Sequence, residues 1–292
     1  MNALIVGSIL NFVGAYLHLP SNCSINRHIF LYDVDAYSCE FFSNYSAYDP
    51  LTAQGRSHMP KFILPQTVKP GPGLSSAYSS NWDILNASLP IEQKLKNAAM
   101  NLESRGGQLI FTFNPTGILY DLSLPHFKDF FWIQTIDAWN VSTINLDCSQ
   151  NTMNECYMAL DNIYLHLTPQ ANLSFWLTIP PWNETFILEY IIRNQIQVSV
   201  INLFINQPSA DIDSLIPIIV DFNRMLINKQ IDCELGVTID MWQYFNVNET
   251  MAYVEMAIQS IADVTYLGLR GASGNLTNNS TFPIYYNGLM FC

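Results

Sequence analysis

The sequence predicts an α/β protein: a single (β/α)8 TIM barrel whose first and last outer helices are short or missing. Three observations predict it. Runs rich in β-branched and aromatic residues begin at Gln108, Thr143, Leu173, Gln197, Cys233 and Val264, at intervals of 24 to 36 residues, one βα unit each. Those runs are apolar throughout, as strands covered on both faces are. Helix-period segments separate them, and two further strand-like pieces, Arg27 to Val34 and Lys61 to Leu64, bring the count to eight. A chain of 292 residues suits one such domain, which commonly needs ~250.

Each element has a local cause. Pro90 to Arg105 reads as a helix with Ser88 to cap it, Pro90 in its first turn and Gly106 to end it. Its buried stripe is Ile91, Leu95, Ala98 and Leu102. The strand Gln108 to Phe113 follows. Pro125 opens the next predicted helix, with Phe127, Phe130, Phe131 and Ile136 facing inward, and Thr143 to Asp147 is the strand after it. Thr152-Met153-Asn154-Glu155 is a capping box that starts a helix stopped by Pro169. Strand Leu173 to Ile179, helix Glu184 to Arg193, strand Gln197 to Ile205, helix Asp213 to Asn228, strand Cys233 to Ile239, helix Glu249 to Ile261 and strand Val264 to Leu269 complete the series. Asp35 to Asn81 is rich in proline and irregular, and neither Glu40 to His58 nor Gly271 to Cys292 shows a helical pattern.

Composition sets the class. Hydrophobic residues make up 49% and charged ones 12%, which describes a large core. The net charge of −12 and the lack of any basic run argue against nucleic acid and anionic membranes as partners. No run after the N-terminus reaches the ~20 apolar residues that span a bilayer. Residues 1–15 read as a signal peptide, with an apolar stretch Ala3 to Gly14 and small residues at Val13-Gly14-Ala15, although no Lys or Arg precedes it. A buried first strand is the other reading of that stretch. Residues 16–292 then form the barrel domain.

Secretion is also suggested by ten N-glycosylation sequons, at Asn22, Asn44, Asn86, Asn140, Asn172, Asn183, Asn248, Asn275, Asn278 and Asn279. Six cysteines, an even number, suit three disulfides. Cys148 points away from the barrel axis if Asp147 points inward, and Cys156 lies on the core face of the next helix at similar height, so Cys148–Cys156 is the preferred pair. Cys23–Cys39 and Cys233–Cys292 follow by elimination. No CxxC spacing, metal-spaced histidines, phosphate-binding glycine loop or G-x-S-x-G is present. No metal or cofactor is therefore expected.

Thr143, Asn145, Asp147 and Ser149 alternate with Ile144, Leu146 and Cys148. Here the chain resembles glycoside hydrolase family 18, the chitinases and chitinase-like lectins, which carry D-G-x-D-x-D-x-E on the fourth strand. Phe127-Lys128-Asp129-Phe130 before it, Leu177-Thr178-Ile179-Pro180 on the fifth strand and Ile201-Asn202-Leu203 on the sixth are similar too, so the resemblance spans about Gln108 to Arg270. It implies a barrel that binds chitin or another N-acetylglucosamine-containing glycan. In that family the glutamate protonates the glycosidic oxygen and the neighbouring aspartate orients the substrate's acetamido group, a substrate-assisted exception to two-carboxylate hydrolysis.

The departures matter as much. Of the motif's acids only Asp147 remains; Asn145 and Ser149 stand at two others. A serine hydroxyl is too weak an acid to donate that proton near neutral pH, and such donation is worth ~10²–10⁴-fold. The family's Tyr-Asp pair at the sixth strand end is Asn206-Gln207 here, and its eighth-strand tryptophan maps near Leu269 or Arg270. The expectation is a secreted chitinase-like pseudoenzyme with no catalytic residue, binding carbohydrate through Asn114, Asp147, Trp182, Asn206, Asp240 and Trp242, or serving a structural role. Two alternatives stay open: a glycosidase that has moved its acid, with Asp147 and Asp240 as the pair, and a protein-interaction scaffold. Asp147 also reads as a structural carboxylate, and the tryptophans as packing residues.

Overall fold

The structure, a computed structural model, describes residues 28–34, 39, 43, 62–65, 89–104, 106–122, 142–166, 173–181, 184–205, 212–240 and 264–270. Its strands are β1 (His28–Val34), β2 (Phe62–Pro65), β3 in two pieces (Gln108–Leu109 and Phe111–Phe113), β4 (Thr143–Asp147), β5 (Ser174–Ile179), β6 (Val200–Ile205), β7 (Glu234–Asp240) and β8 (Val264–Arg270). All pair in parallel and in chain order, with β8 returning to β1. The ring closes at β3. Its first piece pairs with β2 and its second with β4, while the Ile110 N–H between them donates to Ile63 O at 2.9 Å.

Registered neighbours run Thr112–Asn145–Trp176–Val200–Glu234 one way round and Gln108–Phe62–Phe30–Gly268–Thr238 the other. The traces differ by four residues on β3 and four on β7, giving a shear of eight, the value of a (β/α)8 barrel.

With that shear, inward side chains stack in layers of alternate strands. From the N-terminal end upward the layers are Phe62, Thr143, Val200 and Tyr266; Phe30, Ile110, Trp176 and Gly236; Leu64, Asn145, Asn202 and Gly268; Tyr32, Thr112, Thr178 and Thr238; and, at the C-terminal mouth, Asp147, Phe204 and Arg270. The lower layers are a column of aromatic rings: Phe30 to Trp176 5.6 Å, Phe62 to Trp176 5.7 Å, Trp176 to Tyr266 4.9 Å. Gly268 is there because a Cβ would lie 2.3 Å from both Phe30 Cζ and Thr238 Oγ1.

Above the aromatic column the interior turns polar. Asn145 Nδ2 donates to Thr112 Oγ1 (3.2 Å), Thr178 Oγ1 to Asn145 Oδ1 (2.9 Å), Asn202 Nδ2 to Thr178 Oγ1 (3.1 Å) and Thr238 Oγ1 to Asn202 Oδ1 (2.8 Å). This belt joins five consecutive strands, and all five side chains are buried. Buried polar groups cost little only when so paired.

The helices are α1 (Leu89–Glu103), α2 (Pro115–Leu122), α3 (Met153–His166), α4 (Glu184–Asn194) and α5 (Ile212–Asn228). Leu95, Ala98 and Leu102 of α1, Cys156, Leu160 and Ile163 of α3, Ile187, Leu188 and Ile191 of α4 and Ile219, Phe222 and Leu226 of α5 pack on the outward strand residues. Each large one stabilises the fold by ~1.5–3 kcal/mol. The predicted capping box forms: Thr152 N–H donates to Glu155 Oε2 (3.0 Å) and Glu155 N–H to Thr152 Oγ1 (3.4 Å). The hydrogen bonds from Thr152 hold the Glu155 carboxyl below its usual range. Helix α1 ends in a Schellman motif: Gly106, at φ 71°, donates to Glu103 O (3.0 Å) and Gly107 to Leu102 O (2.8 Å).

Two differences from the sequence-based expectation stand out. Helix α2 was not foreseen; Asn114 Oδ1 accepts the Thr116 N–H at 2.9 Å and Pro115 is its first residue, so N-P-T-G is a helix start, not a turn. Strand ladders begin at Ser174, Val200 and Glu234, later than Leu173, Gln197 and Cys233. Strand β4 ends at Asp147, as expected. The predicted helices at Pro125 and Glu249 to Ile261, residues 1–15 and most of Asp35 to Asn81 lie outside the described residues.

Candidate functional site

The C-terminal mouth is built on three inward residues. Asp147 ends β4 and is half-buried. Its Oδ1 accepts the Ser149 N–H at 2.9 Å, which turns the chain directly after the strand. This Asx turn is why Ser149 leaves the strand line. The Arg270 guanidinium lies 5.2 Å over the Phe204 ring, a cation–π contact that seats a positive charge on top of the aromatic column. Phe204 in turn leans on Tyr32, ring centroids 5.7 Å apart. Asp240 ends β7 and pairs in register with Arg270.

Around Asp147 lies a second set of groups that the sequence reading covered only in part. Asn114, after β3, caps α2 and also donates from Nδ2 to Asn151 Oδ1 at 3.1 Å. Asn151 Nδ2 donates to Thr116 Oγ1 at 2.7 Å. Thus the corner after β3 is tied to the corner after β4. Asn151 and Thr116 went unremarked in the sequence; two polar residues in loop-like segments carry no periodic signal. The Cys148–Cys156 disulfide is formed as expected, with Cα atoms 5.7 Å apart, and pins the second corner to α3.

Of the other sequence-predicted site residues, Asn145 is buried in the polar belt, two layers below the mouth. Trp182, Asn206, Trp242, Cys23, Cys292 and the ten sequon asparagines lie outside the described residues. Cys39 is buried, its Sγ 3.6 Å from Val34 O. Cys233 is half-buried and carries a free thiol in place of the expected Cys233–Cys292 bond, and burial pushes that thiol up to about 11. Among the described residues no group of three His, Cys, Asp or Glu could hold a metal ion, and no helix is long and apolar enough to cross a membrane.

No protein-family model matches the sequence, and no curated protein is significantly similar to it. Solved structures are similar. A GH113 β-1,4-mannanase matches with a TM-score of 0.51 at 11% identity, over 85% of this chain and 88% of that one. The chain is a TIM barrel. Two further structures match less closely. Diaminopimelate decarboxylase from Helicobacter pylori, complexed with L-lysine, has a TM-score of 0.44 at 10% identity over 85% of this chain. The chain covers 57% of that protein's length. Orotidine 5′-monophosphate decarboxylase from Plasmodium berghei has a TM-score of 0.40 at 12% identity, over 91% and 93% of the two chains. At such identities the likeness concerns the barrel and not its chemistry.

Among the described side chains, the barrel's mouth holds a carboxylate engaged by its own turn, a guanidinium stacked on a ring, and the carboxamides of Asn114 and Asn151. In this fold, groups at the C-terminal strand ends are the ones that meet a ligand. Carboxamides and a carboxylate can hydrogen-bond to the hydroxyls of a polar ligand. Asp147 spends one carboxylate oxygen on a backbone N–H, which suits a fixed acceptor better than an acid.

Proposed function

We propose that this chain is a secreted, glycosylated TIM barrel that binds carbohydrate at its C-terminal mouth without hydrolysing it, as a degenerate relative of the family 18 glycosidases. The single observation that carries the reading is the Asp147–Ser149 turn. Ser149 stands where the family's proton donor would, and its N–H donates to the one motif acid that remains. The candidate ligand is an N-acetylglucosamine-containing glycan such as chitin, with Asn114 and Asp147 as contacts and Trp182, Asn206, Asp240 and Trp242 as further candidates from the sequence. The asparagines within the described residues, Asn145, Asn162, Asn202 and Asn223 among them, belong to no sequon, and Asn114-Pro115-Thr116 is barred by its proline.

Titration calorimetry of the secreted protein with an N-acetylglucosamine tetramer tests the reading. Binding that weakens in Asp147→Ala, with no sugar release on prolonged incubation, supports it. No binding of this or a β-1,4-mannose oligomer by the intact protein would remove it. The relocated-acid alternative keeps one observation in its favour: Asp147 and Asp240 both end strands at the same face. Turnover lost in either Asp→Asn variant would establish that alternative.

A further inference from the structure

Asn114 and Asp147 stand on different corners, and side-chain hydrogen bonds between those corners, among the described residues, run through one carboxamide. Asn151 accepts from Asn114 Nδ2 at 3.1 Å and donates to Thr116 Oγ1 at 2.7 Å. Asn151 itself sits in the nine-residue loop closed by Cys148–Cys156. The loop is held at its base, where the Cys148 N–H donates to Thr178 O at 2.8 Å, and turned by Asp147 through the Ser149 N–H at 2.9 Å. At its far end the Thr152–Glu155 cap and Cys156 anchor it to α3.

We propose that Asn151 is a positioning residue that fixes Asn114 against Asp147, and that the Cys148–Cys156 disulfide holds Asn151 in place, so the mouth is organised only in the oxidised protein. The inference rests on the carbohydrate-binding reading for its consequence, but not for its test. Without the cross-link, a loop free to swing away from β3 would leave Asn114 with only its cap to Thr116 N–H. Both sulfurs are buried, so exchange requires the first turns of α3 to open. A dithiol reductant then donates two electrons: its thiolate attacks one cysteine sulfur, the S–S bond breaks, and its second thiol closes the oxidised dithiol. Two protonated cysteines remain.

The test uses the full-length protein, 15N-labelled, with two readouts: the Asn114 side-chain carboxamide resonances with the exchange rate of the Thr116 amide, and affinity for the N-acetylglucosamine tetramer. Asn151→Ala should shift the Asn114 resonances toward those of a solvated carboxamide, speed Thr116 exchange and weaken the tetramer about fivefold. Asn151→Asp should restore all three, because one oxygen accepts from Asn114 and the other from the Thr116 hydroxyl. Cys148→Ser/Cys156→Ser, and the wild type after dithiol reduction, should resemble Asn151→Ala while keeping the native far-UV spectrum. The proposal is overturned if Asn114 is unchanged in Asn151→Ala, if the Asp variant falls as far as the Ala variant, or if the double cysteine variant leaves Asn114 where it was. Should the wild type bind no tetramer, the function reading fails alone; the Asn114 and Thr116 readouts still decide this one.

Discussion

Thr178 is the hinge of the polar belt, and replacing it with valine is the sharpest probe of why the barrel interior is polar. The substitution keeps the side-chain shape and removes one oxygen. That oxygen donates to Asn145 Oδ1 at 2.9 Å and accepts from Asn202 Nδ2 at 3.1 Å, and all three side chains are fully buried. Two hydrogen bonds go, and two amide groups are stranded in a site that no water reaches. Stranding costs about 1–3 kcal/mol per group, so Thr178→Val should lose about 2–5 kcal/mol of unfolding free energy. Thr238→Val is the internal control. Its hydroxyl, at the end of the belt, makes one of these bonds, to Asn202 Oδ1 at 2.8 Å. It should lose about half as much. Urea unfolding at constant m-value measures both. Equal costs for the two variants, or a Thr178→Val loss below about 1 kcal/mol, would show that the belt is not a connected network and would refute the reasoning.

Gly268→Ala should destabilise by about 1–3 kcal/mol or block folding, because its Cβ would meet Phe30 and Thr238 at 2.3 Å; soluble yield and the urea midpoint report it. Gln230→Gly should stabilise by up to about 1 kcal/mol, since Gln230 holds φ 54° in the Schellman motif ending α5, where Gln230 N–H donates to Ile227 O and Ile231 N–H to Leu226 O; a lower thermal midpoint would count against it. Alkaline pH should destabilise the fold. Burial holds the Cys233 thiol up at about 11 from an ordinary 9.0, so the native state keeps a proton that the unfolded chain loses, and stability falls as pH rises between those values. Burial likewise raises Tyr266, helped by Glu234, and Tyr190, helped by its hydrogen bond to Asp161. Cys233→Ser should flatten the loss between pH 9 and 11 in unfolding titrations.

What the sequence showed of this fold, it showed through period and local chemistry. Strand spacing is a consequence of βα units, and the capping box and the Gly106 stop are contacts between residues a few positions apart. The Cys148–Cys156 pair was legible for the same reason: strand parity and helix phase fix both sulfurs within one unit. Helix α2 was not legible, because Asn114-Pro115-Thr116-Gly117 has the composition of a turn and becomes a helix start only when Asn114 caps it. The belt was hidden more deeply. Thr112, Asn145, Thr178, Asn202 and Thr238 look like solvent-facing alternation on any one strand, and their burial depends on five strands arriving at one height. The same limit applied at the mouth. Thr143 to Asp147 was legible as a strand, but the turn after it was not, because the Asp147 carboxylate bends the chain there by accepting the Ser149 N–H.

The layer order bears on the chemistry the barrel can perform. Its lower interior is aromatic, its middle is a belt of neutral hydrogen-bonding groups, and its top carries Asp147 and a guanidinium stacked on Phe204. A proton donor working near neutral pH needs a carboxyl whose pKa is raised toward that pH by burial in apolar surroundings or by a like charge close by. Asp147 accepts a backbone N–H on one oxygen, which fixes its orientation. An oriented carboxylate beside carboxamides is a hydrogen-bond acceptor for hydroxyls. On the proposed reading this floor holds a polar ligand in place, and the relocated-acid alternative would need its proton donor from another strand end, such as Asp240, or from the connections.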